Sequence, residues 1–84
     1  MIEDIIVEAK GEIPMHEHNL TDEIFYIIEN SAIMIVDDQR FKVKEGDMIY
    51  VEKNEKHGFK NESNKELKII VMKINFQKGD SYLK

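Results

Sequence analysis

Runs of β-branched and aromatic residues, each closed by a cluster of turn-forming residues, recur along this 84-residue chain and leave no stretch with helical periodicity. Residues 24–28 end at Glu29-Asn30, and residues 33–36 stop at Asp37-Asp38, where acidic side chains tolerate a left-handed backbone. These two runs read as a hairpin. Phe41 and Val43 alternate with Arg40, Lys42 and Lys44, the pattern of a half-buried strand, and Glu45-Gly46-Asp47 supplies the next turn. Residues 48–51 form another strand, and after a polar loop over 52–56, His57 and Phe59 share one face. An Asn61-Glu62-Ser63-Asn64 turn precedes the longest strand, 67–76, whose centre at Ile69-Ile70-Val71-Met72 is apolar on both faces, so each side must be covered. Short strands at this spacing predict an all-β sandwich or barrel. Pro14, the only proline, belongs on a sheet edge or at a strand start. With no linker and no low-complexity segment, residues 1–84 are expected to form a single domain.

A chain this short closes a hydrophobic core only marginally, so a metal or a partner chain would be a natural source of further stability. It is 42% hydrophobic and 35% charged, the composition of a soluble globular protein rather than a disordered one. Lysines interleaved with glutamates and a net charge of -5 argue against nucleic acid, because a phosphate-backbone binder needs a basic stripe. No apolar run reaches the length of a membrane span, and Met1-Ile2-Glu3-Asp4 lacks the basic start and apolar core of a signal peptide. The expected location is the cytoplasm, with no membrane partner. Cysteine is absent, which excludes disulfides, zinc-finger chemistry and a thiol nucleophile. Neither a serine or threonine nucleophile motif nor a glycine-rich phosphate loop is found.

The residues able to carry chemistry are concentrated. His16, His18 and His57 are all the histidine the chain contains, and Glu23 lies five residues after His18. Alternate strand residues point to one face, so His16 and His18 can converge while Glu17 turns away. Asn19-Leu20-Thr21-Asp22 reads as a turn that returns the next strand alongside the first and adds the Glu23 carboxylate. Nitrogen ligands beside one hard oxygen, with thiolate absent, suit a divalent first-row transition metal. Glu17 and Asp22, although adjacent to these residues, are read as solvated.

Taken together, the pattern resembles the cupin family, both of whose motifs can be traced. The first reads Gly11, His16, His18, Glu23 and Asn30 (residues 11–30), one residue shorter than usual between Gly11 and His16. The second reads Gly46, Glu52, Asn54, His57 and Asn61 (residues 46–61), with the family's spacing throughout. Asn30 and Asn54 stand where glycine is usual, and asparagine is among the few other residues that enter the left-handed region readily. Glu52 replaces the usual proline, which loosens the loop and removes no ligand. The resemblance implies a small double-stranded β-helix, a jelly-roll barrel, with His16, His18, Glu23 and His57 holding a metal inside.

Three imidazoles and one carboxylate would leave two positions of an octahedral ion open to water, dioxygen or a chelating substrate. Iron, manganese, nickel, zinc and copper all suit this ligand set. If Glu23 points inward then Phe25 and Ile27 do too, and His57 carries Phe59 and Asn61 with it. The facing strand contributes Ala32, Met34 and Val36, a choice over Ile33 and Ile35 that rests on the resemblance. Phe25, Ile27, Met34, Phe59 and Tyr50 are the candidate pocket lining, with core packing as the first role of its aromatics, and Tyr26, Tyr50 and Gln39 are the uncharged polar groups able to touch a substrate. The expected function is a metal-binding cupin that holds a small organic ligand, with an oxygenase or isomerase reaction as its catalytic form. A non-catalytic ligand-sensing or regulatory module is the alternative, and a barrel merely stapled by its metal is a third reading. A homodimer is expected, because Ile2, Ile5, Ile6 and Val7 together with 69–72 offer more apolar surface than one short barrel covers.

Overall fold

The computed structural model describes residues 1–75 and 82–83, and among these it contains strands and turns but no helix. The strands in chain order are β1 (Ile2–Val7), β2 (Glu12–Glu17), β3 (Asp22–Glu29), β4 (Ala32–Val36), β5 (Gln39–Val43), β6 (Met48–Val51), β7 (His57–Lys60), β8 (Leu67–Ile74) and β9 (Tyr82–Leu83). They form one sheet in the order β1-β8-β3-β6 and a second in the order β5-β4-β7-β2-β9. Every pairing is antiparallel.

Strand alternation puts Phe25, Ile27, Val51, Leu67, Ile69 and Val71 of the first sheet against Ala32, Met34, Val43 and Phe59 of the second, all of them buried. Each large side chain removed from water in this way is worth about 1.5–3 kcal/mol. β8 runs from 67 to 74, two residues short of the expected 76, and Phe76 lies outside the described residues.

Two expected pairings are corrected. Residues 24–28 and 33–36 do not form a hairpin: β3 pairs with β6 and β8, whereas β4 pairs with β5 and β7. Asn30, at φ 76°, turns the chain from one sheet into the other, so that β3 and β4 face each other across the core. The segment after His18 likewise crosses between sheets, and β3 opposes β2 instead of lying beside it.

Among the described residues the left-handed positions are Asn30, Asp37 (φ 54°), Gly46 (φ 89°), Asn54 (φ 71°) and Asn75 (φ 59°), all residue types that enter this region readily, and Lys10 (φ 64°), which is not. Gly46 and Asn54 are third residues of turns closed by Asp47 N–H to Lys44 O at 3.0 Å and Glu55 N–H to Glu52 O at 3.1 Å. Asn30 does more than glycine could, because its amide donates to Ser63 Oγ at 2.7 Å and ties the β3–β4 turn to the 61–66 turn.

That end of the barrel is knotted by Asn61. Its amide donates to the carbonyls of Val7, Glu8 and Lys65 at 3.2, 3.1 and 2.7 Å, and its carbonyl oxygen accepts from Ser63 N–H at 3.1 Å and Ser63 O–H at 2.8 Å.

Candidate metal centre

At the other end, β2, β3 and β7 bring His16, His18, Glu23 and His57 together, one donor atom from each lying within 4.8 Å of the others. A β-bulge makes this convergence possible. Ile13 pairs with Phe59 and His16 with His57, so Pro14 and Met15 together oppose Gly58. Ile13 packs against the core. In an unbroken strand the residues facing inward with it would be Met15 and Glu17, and both histidines would face out. The extra residue shifts the alternation by one and turns His16 and His18 into the barrel. Pro14 is therefore neither at a strand start nor beside a ladder donor that it must supply; it occupies the bulge.

Glu23 is 3% exposed, and its Oε1 lies 3.0 Å from His18 Nε2 and 2.8 Å from His57 Nε2. Although close, Glu23 Oε1 and His57 Nε2 are buried and do not meet in aligned hydrogen-bond geometry. The four donor atoms are spread over little more than the span that one ion with bonds of about 2.1 Å would bridge. The chemistry of the donor set and the buried, converging atoms both fit a divalent metal.

The far nitrogens of two rings are held by backbone. His16 Nδ1 meets the Pro14 carbonyl at 2.8 Å and His57 Nδ1 meets the Glu55 carbonyl at 3.1 Å. With Nδ1–H donating there, the Nε2 lone pairs turn to the centre. Asn54 N–H donates to His18 O at 2.6 Å and fastens the β6–β7 loop over the site. Asp22 closes the same loop by accepting from Lys53 N–H at 2.7 Å and Tyr50 O–H at 2.8 Å, and these bonds hold its carboxyl below the usual carboxylate range.

Burial lowers the His16 pKa, and the hydrogen bond to Pro14 opposes that shift without cancelling it. For Glu23, burial pushes the carboxyl up, but the contact with His57 and the charges of His57, His18 and Lys73 outweigh it, leaving Glu23 below its ordinary value. Both shifts favour the deprotonated, metal-binding forms.

Of the other candidates, Phe25 packs tilted against the His57 ring at 5.5 Å and edge-on against Phe59 at 5.1 Å. Ile27 and Met34 lie deeper, with no exposure at all. Tyr50 is placed elsewhere: it is 53% exposed on the outer face of β6, where Ile49 and Val51 take the inward positions. Tyr26 also faces outward, whereas Gln39 is exposed but shares the inward face of β5 with Val43 and pairs with Val36, the register partner of His57. Four contributors have no counterpart in the sequence reading: the Pro14 carbonyl, the Glu55 carbonyl, Gly58 opposite the bulge, and Lys73, the register partner of Glu23, whose Nζ pairs with Glu3 at 2.8 Å.

Comparison with known proteins agrees with this architecture. The family model described as "Cupin domain" matches residues 4–73. An uncharacterised protein of Methanocaldococcus jannaschii is 36% identical over 67 residues, covering 80% of this chain and 54% of that protein, so the chain spans about half the length of this relative. Among solved structures, an uncharacterised Klebsiella pneumoniae protein with a double-stranded β-helix domain superposes with a TM-score of 0.89 at 17% identity, over 98% of this chain and 71% of that one. A predicted oxalate decarboxylase of Thermotoga maritima gives 0.85 at 20% identity, over 90% and 66%. At these identities the likeness establishes the fold, the double-stranded β-helix, and nothing finer.

Proposed function

The chain belongs to the cupin family, and from that premise we propose that it binds one divalent transition metal through His16, His18, Glu23 and His57 and uses the open positions to hold a small organic ligand. The observation that carries this reading is the convergence of one donor atom from each of the four side chains to within 4.8 Å of the others. When bound, the metal supplies Lewis-acid polarisation of the ligand and, where the ion is iron, manganese or copper, a redox centre.

The chain's own residues do the rest. Pro14 and Glu55 orient the imidazoles, Phe25 and Phe59 wall the site with apolar rings, and Ile27 and Met34 close it from below. The name predicted oxalate decarboxylase borne by the Thermotoga fold neighbour makes a small chelating carboxylate the first ligand to try. A net charge of -5 supports a small molecule over nucleic acid, and no helix among the described residues is long and apolar enough to cross a membrane. The same reading places the protein in the cytoplasm as a homodimer.

Elemental analysis of untagged protein tests it. His18→Ala and Glu23→Ala should each lose the metal while keeping a β-sheet circular-dichroism spectrum, and unchanged metal content in both variants overturns the assignment. Oxalate should then perturb the spectrum of the metal-loaded protein and leave that of the metal-free protein unchanged.

A further inference from the structure

We propose that the ion pair of Glu3 and Lys73 regulates the charge of the metal centre: the Lys73 ammonium holds metal affinity down, and the Glu3 carboxylate offsets it. This rests on the metal reading above and deepens it with two residues outside the ligand set.

Both residues stand where the fold ordinarily buries hydrocarbon. Along β8 the inward positions Leu67, Ile69 and Val71 are all buried, and the next position in that alternation is Lys73. Along β1 the inward positions read back from Val7 through Ile5 to Glu3. At this end of the first sheet the apolar lining gives way to two opposite charges. Lys73 Nζ and Glu3 Oε1 lie 2.8 Å apart, with the side chains 18% and 39% exposed. The backbone fixes the arrangement, because Lys73 N–H donates to Met1 O at 2.7 Å and clamps the start of β1 onto the end of β8. An isolated ion pair open to water adds little stability, so this placement is better explained by what lies beside it.

What lies beside it is a metal ligand. Lys73 is the register partner of Glu23, and side chains opposite each other in an antiparallel pair leave the sheet on the same face, about 4.5–5.5 Å apart at Cβ. The Lys73 charge already helps to hold the Glu23 carboxyl below its ordinary value. An ammonium has three donors and no lone pair, so Lys73 acts on the centre by its charge and never as a ligand. A divalent ion held by neutral imidazoles and one carboxylate keeps a net positive charge, which repels that ammonium. Water screens the repulsion incompletely where the groups are half-buried. Glu3, one strand further out on β1, neutralises part of the ammonium charge. Removing the two charges one at a time therefore moves metal affinity in opposite directions. A pair that served only as scaffolding would have one sign, since each loss would loosen the sheet and weaken binding or leave it unchanged.

Competitive titration with zinc alone reads the difference. Lys73→Met keeps the stem and removes the charge, and it should bind zinc about tenfold more tightly than the parent, the scale of one partly screened charge. Lys73→Arg should match the parent. Glu3→Gln leaves the ammonium uncompensated and should bind zinc about three- to tenfold more weakly. Both shifts should shrink as ionic strength rises. Zinc uptake by the parent that is lost in His18→Ala secures the ligand assignment, so an unchanged or weakened affinity in Lys73→Met then overturns this proposal alone. A parent that takes up no zinc overturns the metal reading and this proposal with it. Equal losses in Lys73→Met and Glu3→Gln would assign the pair to scaffolding and also overturn the proposal.

Discussion

Gly58 and Gly46 should fail differently when replaced by alanine, and the difference tests how the bulge builds the metal centre. A Cβ on Gly58 would lie 2.7 Å from the Ile13 carbonyl oxygen, 3.1 Å from Met15 Sδ and 3.2 Å from Met15 N, whereas ordinary contact begins at 3.4 Å. Met15 Sδ is the end of a flexible side chain and can move. The carbonyl and the amide are backbone of the bulged strand, and they can yield only if β2 lifts away from β7. Overpacking of this kind costs about 1–3 kcal/mol. In a domain of this size each kcal/mol lowers the melting temperature by about 4–8 °C. Because His16 and His57 form the adjacent cross-strand pair, the displacement reaches the donors, and metal affinity should fall about 10–100-fold, as when supporting contacts of a metal site are removed.

Gly46 is the control. It has nothing within 4 Å of a built Cβ and a φ of 89°, so Gly46→Ala meets only the left-handed penalty of about 1–2 kcal/mol. Its metal affinity should match the parent. Thermal melts in chelator, paired with competitive metal titration, measure both quantities. Parent-like affinity in Gly58→Ala, or equal loss of affinity in the two variants, refutes the claim that the bulge aims the histidines.

Asn61→Ala should cost about 2–4 kcal/mol, since each lost hydrogen bond is worth about 1 kcal/mol and the buried Val7 carbonyl loses its Asn61 donor; metal affinity, set at the opposite end, should not change, and a melting temperature within a degree of the parent would contradict this. Metal occupancy should fall as the pH drops below about 6.5, because neutral imidazoles are the ligands; retention of metal after dialysis at pH 4.5 with an intact spectrum would count against the ligand set. In the metal-free protein both lowered pKa values act with one sign. The folded state binds fewer protons than the unfolded chain, so the His16 contribution is complete above the ordinary 6.5 and the Glu23 contribution above the ordinary 4.5, and each is lost as the pH falls through its lowered folded value. Acid titration of the melting temperature should therefore decline in two stages, and a curve flat from pH 7 to 4 would contradict both shifts.

What could be read ahead of the structure was whatever strand alternation and backbone tolerance encode locally. Glu23, Phe25 and Ile27 share a face, as do His57, Phe59 and Asn61, and asparagine occupies the left-handed positions 30 and 54. Alternation says which way a side chain points along one strand and nothing about which strand lies beside it, so the apparent hairpin of β3 and β4 was in fact a crossing between sheets. The bulge was hidden for a related reason. Counting by twos from Ile13 puts His16 outside, and no residue type between them announces the extra position unless Pro14 is taken as the hint. In β6 the run Met48-Ile49-Tyr50-Val51 is apolar on both faces, which left the side chosen by Tyr50 undetermined. The carbonyls of Pro14 and Glu55 are backbone atoms, common to every residue, and only folding gives them a task.

The knot around Asn61 gives the molecule two poles with unlike chemistry. One is laced by neutral amide and hydroxyl bonds that ignore acid and chelator, while the other gathers the titratable imidazoles and carboxylate proposed to hold a cation. Loosening under acid or chelation therefore starts at the histidine pole, and amide exchange should quicken there first while the Asn61 pole stays slow.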